Sequence, residues 1–142
     1  MRIVLDTNVL VSGLITERGH PARLLDAVRR GHVVWVTAPV QVDEILDVLA
    51  RPKIAQRLTV GARDQLARLL NDIAHVIPGV LPAVNVSVDP DDNLILAIAL
   101  AGQANLVVSG DKKHMLNLGT IKGIPILDPT AALRWLEDHG GL

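Results

Sequence analysis

The sequence predicts an α/β protein, a three-layer α/β/α sandwich around a mostly parallel sheet. Three observations predict it. Short β-branched or leucine-rich runs at residues 2–5, 32–37, 106–109 and 123–127 alternate with longer segments of helical periodicity. The run at 32–37 has a continuous apolar centre, the pattern of a strand buried on both faces. Residues 94–101 are apolar on every side, as in a helix covered all round.

Residues 2–5 form the first strand, and Val9, Leu10, Val11, Leu14 and Ile15 after it read as a buried helix. Asp6, Thr7 and Asn8 therefore make a polar turn at the carboxyl end of a strand, the edge at which open α/β sheets bind ligands. After a loop at 17–21, Pro21 takes a first helical position and opens a helix ending at Gly31, with Leu24, Leu25 and Val28 at helical spacing. Residues 32–37 are the second strand, and β-branched neighbours make Trp35 a core residue. Thr37 is a candidate cap for a helix over 39–51. Its stripe of Val42, Ile45, Leu46 and Leu49 follows i, i+3, i+4, i+7, and Pro52 ends it.

Residues 53–58 and 63–76 pass the same test, with Leu66, Leu69, Leu70 and Ile73 as a second stripe, and read as a helical hairpin appended to the sheet. Residues 80–88, broken by Pro82, allow at most a short edge strand. Asp89 as cap and Pro90 as first helical residue begin the helix that continues through 94–101. A strand over 106–109 ends at Gly110 and Asp111, a last strand spans 123–127, and an amphipathic helix covers 129–138. There is no internal repeat, low-complexity tract or linker.

The 142 residues show no compositional break and fit a single domain spanning 1–142, long enough to bury roughly two-thirds of its unfolded surface. Cysteine is absent, which excludes disulfides, thiolate nucleophiles and cysteine-zinc sites and suits a cytoplasmic protein. No secretory leader pattern appears, and no apolar run approaches the ~20 residues of a membrane helix, so a soluble protein is expected. With no Phe or Tyr and two Trp, the core must be aliphatic and little aromatic surface remains for stacking bases. The formal net charge of −1 provides no global attraction to nucleic acid, yet residues 1–71 carry ten Lys/Arg against seven Asp/Glu, while the remainder carries four against eight. A basic surface beside an acidic pocket is compatible with that asymmetry.

Four carboxylates stand at element ends or on a second apolar row: Asp6, Glu44, Asp92 and Asp111. Each has an ordinary explanation. Asp6 can cap the helix after its strand; Asp92 suits the positive end of a helix; Asp111 suits a turn after Ser109 and Gly110. Glu44 lies between Val40 and Val48, one turn below and above it, or is merely solvated. Together they say more, because a strand–helix alternation brings these ends to one edge of the sheet. Like charges ~4 Å apart at an effective dielectric near 20 repel by about 4 kcal/mol per pair, so some are protonated or a hard cation sits among them. Oxygen donors without Cys favour Mg²⁺ or Mn²⁺ over zinc. His20, His32, His75, His114 and His139 show no close ligand spacing and count as surface or structural residues.

Val4-Leu5-Asp6-Thr7-Asn8-Val9-Leu10, the helix with Glu44, the run from Asp89 through Asp92 and Asn93 to Ala99, and Leu106-Val107-Val108-Ser109-Gly110-Asp111 resemble, in order, the PIN-domain nucleases. The likeness is nearest to the branch of toxins in prokaryotic toxin–antitoxin pairs. The resemblance implies a five-stranded sheet ordered 3-2-1-4-5 and a metal-dependent ribonuclease that binds Mg²⁺ or Mn²⁺ through Asp6, Glu44, Asp92 and Asp111, with Asn8 and Ser109 as supporting polar groups. The pattern Asp-x-x-Ile-x-Ala-x-Ala favours Asp92 over Asp91. It also implies an RNA substrate, a small antitoxin partner and a homodimer. Lys112, Lys113 and His114 follow Asp111 directly and either contact the substrate backbone or form a solvated helix start.

Two other classes compete. Covalent phosphatases need an Asp-x-Asp after the first strand, and none is present. A catalytically silent PIN-like module that binds RNA or a protein partner is the non-enzyme alternative, and the four filled acidic positions argue against it.

Overall fold

The computed structural model describes residues 1–110 and 113–142. Six strands, β1 (Arg2–Leu5), β2 (Val34–Thr37), β3 (His75–Val76), β4 (Leu106–Val108), β5 (Thr120–Ile121) and β6 (Ile124–Leu127), form one sheet in the order β3-β2-β1-β4-β6-β5. All pairings are parallel except β5 with β6. In β1, Ile3 lies opposite Trp35 on one side and Leu106 on the other, so the first strand of the chain sits inside the sheet. The winding reverses between β1 and β4.

Alternation along the strands splits the apolar side chains into two layers. Ile3, Leu5, Trp35, Leu106 and Val108 pack on helices α1 (Thr7–Ile15), α2 (His20–Arg29), α3 (Pro39–Ala50), α5 (Ala62–Arg68) and α8 (Pro129–Asp138). Val4, Val36, Val107 and Ile126 pack on α6 (Pro90–Ala101) and α7 (Lys113–Leu118). The short α4 (Pro52–Ala55) follows α3. A Cβ at Gly13 would come within 2.5 Å of Leu25 Cδ1, so its absence lets α1 lie close against α2. Trp35 is fully buried, and α6 buries Ile95, Leu96, Ala97, Ile98 and Ala99, as its all-round apolar sequence requires.

Several expected elements differ. The helix expected over 63–76 ends earlier: α5 passes into a π-helical turn, Leu69–Ile73, closed by the Ala74 N–H donating to the Leu69 carbonyl at 2.6 Å. His75 and Val76 then pair with Val36 and Thr37 as β3. The third strand is thus at 75–76, and residues 80–88 form an irregular segment with Val80, Val86 and Val88 exposed. Pairing with β2 overrides helical periodicity there, because two residues are too few to carry a pattern of their own. The helix expected over 53–58 is reduced to α4, and the five expected strands become six through the small antiparallel β5. Leu46, expected in the buried stripe of α3, is 52% exposed, while Gln41 is buried with Ile45, Val48 and Leu49. Thr37 does not cap α3; the N-cap is Ala38, with no side-chain hydrogen bond. Among the described residues no helix is long and apolar enough to cross a membrane.

Candidate active site

Six side chains are the buried polar or charged groups among the described residues: Asp6, Thr7, Thr37, Gln41, Asp92 and Ser109. All lie at the carboxyl edge of the sheet. Asp6 and Thr7 follow β1, Thr37 ends β2, Gln41 is in the first turn of α3 and Ser109 follows β4. The placement of Asp92 follows from the direction of α6. Its far end meets the amino edge, where Arg2 Nε donates to the Gly102 carbonyl and the Arg2 N–H to Asn105 Oδ1, both at 2.7 Å. Twelve helical residues rise ~18 Å, more than the ~13 Å of a four-residue strand, so the first turn of α6 returns to the carboxyl edge. Burying a polar side chain is costly without partners, and these six share one edge of the sheet.

Asp6 is 1% exposed and caps α1. Its N–H donates to the Val108 carbonyl at 2.9 Å, Oδ2 accepts from Ser109 Oγ at 3.1 Å, and Oδ1 accepts a long bond from the Asn8 N–H at 3.5 Å. Ser109 is pinned in turn, since its N–H donates to the Leu127 carbonyl of β6 at 3.0 Å. The positive end of α1 also favours the carboxylate.

Asp92 is 1% exposed, in the first turn of α6. Oδ2 accepts from Ser87 Oγ at 2.9 Å. Asn93 holds that serine in place: its Oδ1 accepts from the Val86 N–H (3.1 Å) and the Ser87 N–H (2.9 Å), while Nδ2 donates to the Ser87 carbonyl (2.9 Å). Asp91 is exposed, and its N–H donates to the capping Asp89 carboxylate at 2.9 Å.

Glu44 lies half-buried on α3, one turn beyond Gln41. Asn8 is exposed beside Asp6, and Lys113 is exposed at the start of α7. Asp111 and Lys112 lie outside the described residues. A hollow of about 260 Å³ lined by Asn8, Val9, Ser12, Pro21, Gly110 and Pro129 opens beside the Asp6 turn. A larger one, about 420 Å³, lies between α1, α2 and α5 with Arg23, Asp26 and Arg29 in its wall. It holds none of the buried carboxylates, so size does not locate the chemistry.

Among the described residues no three acidic or histidine side chains form a ready metal cage. The donors at the edge are nevertheless of one kind: the carboxylates of Asp6 and Asp92, bonded to the hydroxyls of Ser109 and Ser87. This oxygen-only set fits Mg²⁺ or Mn²⁺, since Mg²⁺ is commonly held by one or two carboxylates and keeps several of its waters.

Sequence reasoning missed Gln41 and Ser87, gave Thr37 only a cap's role, and placed Asn93 in its motif without the bonds it makes to Ser87. Gln41 had a readable signal, standing four residues before Ile45 and seven before Val48 on one helical face. The meeting of Ser87 and Asn93 had none, because an irregular loop fixes it.

Residues 2–113 match the family model described as the PIN domain. The chain belongs to the PIN-domain family. Its sheet, with strands 3-2-1-4 in that order and the acidic turn at the end of the first strand, is PIN-like. PIN domains are generally nuclease-like. An uncharacterized protein of Methanocaldococcus jannaschii is 31% identical over 114 residues, covering 79% of this chain and 72% of that protein. No solved structure matches this PIN domain.

Proposed function

We propose that this PIN domain is a metal-dependent endoribonuclease that hydrolyses phosphodiester bonds of RNA, and that it is the toxin of a toxin–antitoxin pair. The observation that carries the reading is the gathering of every buried polar side chain of the described residues, Asp6 and Asp92 among them, at one sheet edge. A carboxylate is kept buried against its solvation cost where its charge is used.

Asp6, Asp92 and Asp111, with Glu44 completing the acidic set, would hold one or two Mg²⁺ or Mn²⁺ ions. When bound, a divalent ion neutralises charge on the phosphate and on the leaving oxygen. Ser109 keeps Asp6 in one orientation, and Ser87 does the same for Asp92. Glu44, half-buried, orients the attacking water and accepts its proton as the new P–O bond forms. The bond to the leaving oxygen breaks, and that oxygen takes a proton from solvent. Asn8, exposed at the turn, supports the acidic set, and Lys112 and Lys113 contact the RNA backbone. Selectivity rests on RNA shape and backbone contacts, because bases find little aromatic surface here.

The test is cleavage of a mixed single-stranded and structured RNA pool with Mg²⁺, Mn²⁺ or EDTA, comparing wild type with Asp6→Asn. Cleavage is expected to require both the ion and Asp6. Full activity of Asp6→Asn sinks the assignment; inactivity of both proteins with either ion favours a silent module that binds RNA or protein. A neighbouring gene for a short DNA-binding protein that co-purifies with this chain and suppresses cleavage is the expected mark of the antitoxin. Sedimentation of the free chain tests the expected homodimer.

A further inference from the structure

Gln41 is fully buried, a rare state for a glutamine, and its amide bridges two elements of the site. Nε2 donates to the carbonyl of Leu5, the residue before Asp6, at 2.7 Å. Oε1 accepts from Thr37 Oγ1 at 2.6 Å, and Nε2 lies 3.5 Å from Thr7 Oγ1 on the other side of Asp6. Only one orientation of the amide satisfies this arrangement. A flipped amide would set Oε1 against the Leu5 carbonyl, acceptor to acceptor. The Leu5 carbonyl, which can only accept, therefore fixes the amide, Thr37 Oγ1 donates to its oxygen, and the amide grips the backbone on which Asp6 is carried.

We infer that Gln41 is the positioning residue that sets Glu44 against Asp6. Gln41 and Glu44 are three apart on α3 and hence neighbours on its surface. Fastening Gln41 to the last carbonyl of β1 fixes the rotation and height of that turn of α3 relative to the Asp6 turn. Ile45 and Val48 hold α3 on the core by apolar contact, which is non-directional and tolerates small rotations. The buried hydrogen bonds do not, because a slip would leave the Leu5 carbonyl and the Gln41 amide desolvated and unmet. This role rests on the nuclease reading for its purpose but not for its geometry.

The experiment uses the full chain as wild type, Gln41→Met, Thr37→Val and Leu133→Ala. Met keeps the length and fills the space of Gln41 without either hydrogen bond, whereas Leu133 is a buried apolar residue of α8 that makes no part of the Gln41 network. Backbone hydrogen exchange is measured without metal, and Mn²⁺ binding is measured by calorimetry on the same samples. Gln41→Met is expected to speed exchange at least tenfold in both 7–10 and 42–45 and to weaken Mn²⁺ binding at least tenfold. Thr37→Val is expected to show the same two segments loosened to a smaller degree. Leu133→Ala lowers the melting temperature with Mn²⁺ affinity unchanged.

Wild-type exchange in either segment of Gln41→Met overturns the inference. So does wild-type Mn²⁺ affinity in that variant. Should Gln41→Met fail to fold, Thr37→Val decides by the same two readouts. If the wild type itself binds no Mn²⁺, the metal-dependent reading falls, and the exchange data alone decide whether Gln41 fastens α3 to the Asp6 turn.

Discussion

Ser109 Oγ donates to Asp6 Oδ2 over 3.1 Å, joining the ends of two neighbouring parallel strands across 103 residues of chain. The bond lies where the sheet winding reverses, between β1 and β4, the place where doubly wound sheets leave a crevice for a ligand. Replacing Ser109 by Ala removes this donor from a buried carboxylate, with an expected loss of about 1.5–3 kcal/mol. Urea denaturation checks the stability, and RNA cleavage should fall without being abolished, in contrast to Asp6→Asn.

Burial separates the adjacent acids Asp91 and Asp92. Asp92→Asn is expected to lower cleavage about a hundredfold or more, the scale of losing one preorganised electrostatic contact. Asp91→Asn, altering an exposed side chain, should leave the rate within about twofold, as surface changes usually do. Parallel initial rates under saturating Mn²⁺ check the pair, and the reverse ranking would move the ligand to Asp91.

Asn93 ties residues 86 and 87 to the start of α6 by three hydrogen bonds. Asn93→Ala is expected to destabilise the fold by about 1–3 kcal/mol and to loosen the exposed Val86–Val88 stretch, releasing Ser87 from Asp92. Thermal melting measures the first effect, and the rate of limited proteolysis within 80–88 measures the second.

Trp35 fills the centre of one core layer with no exposed surface. Truncation to Ala should cost about 3–5 kcal/mol by transfer and cavity terms together. Denaturant titration followed by circular dichroism checks the size of the loss.

Asp26 lies near the amino edge, and the hydrogen bond from Arg29 holds its carboxyl below the usual carboxylate range; partial burial opposes this and the charge of Arg30 assists it. A folded-state pKa below the unfolded one gives stability that is present above the unfolded value, near 4, and is lost as pH falls through the folded value. These side chains are 41–62% exposed, so solvent screening keeps the effect under about 1 kcal/mol. Asp26→Asn should therefore melt slightly below wild type at neutral pH and together with it in acid below the folded value, and added salt should shrink the neutral-pH gap.

What could be read beforehand depended on how much pattern each element carries. β1, α6 and α8 have long or strongly biased runs, and their placement followed from periodicity and capping residues. β3 has two residues, and only pairing with Val36 and Thr37 makes it a strand. The α3 stripe was rotated because the rule sought apolar residues, whereas the core accepted the hydrogen-bonded Gln41 and left Leu46 outside. At the site, Asp6 and Asp92 stand at element ends and were legible, and the amino end of the Asp89-Pro90 helix was too. Ser87, the partner of Asp92, was not, since it meets that carboxylate through an irregular loop whose path local preferences do not encode; Gln41 showed its face in the α3 spacing but not its bond to the Leu5 carbonyl.

The interior position of β1 has a consequence for how the molecule comes into being. A ribosome delivers Ser109 103 residues after Asp6, so β1 waits for β4 while those residues are made. Any prematurely terminated product that stops before Leu106 lacks both the adjoining strand and the hydroxyl that orients the carboxylate. The Asp6 carboxylate therefore gains its orienting hydroxyl only when β4 docks on β1, which ties the geometry of this edge to completion of the sheet.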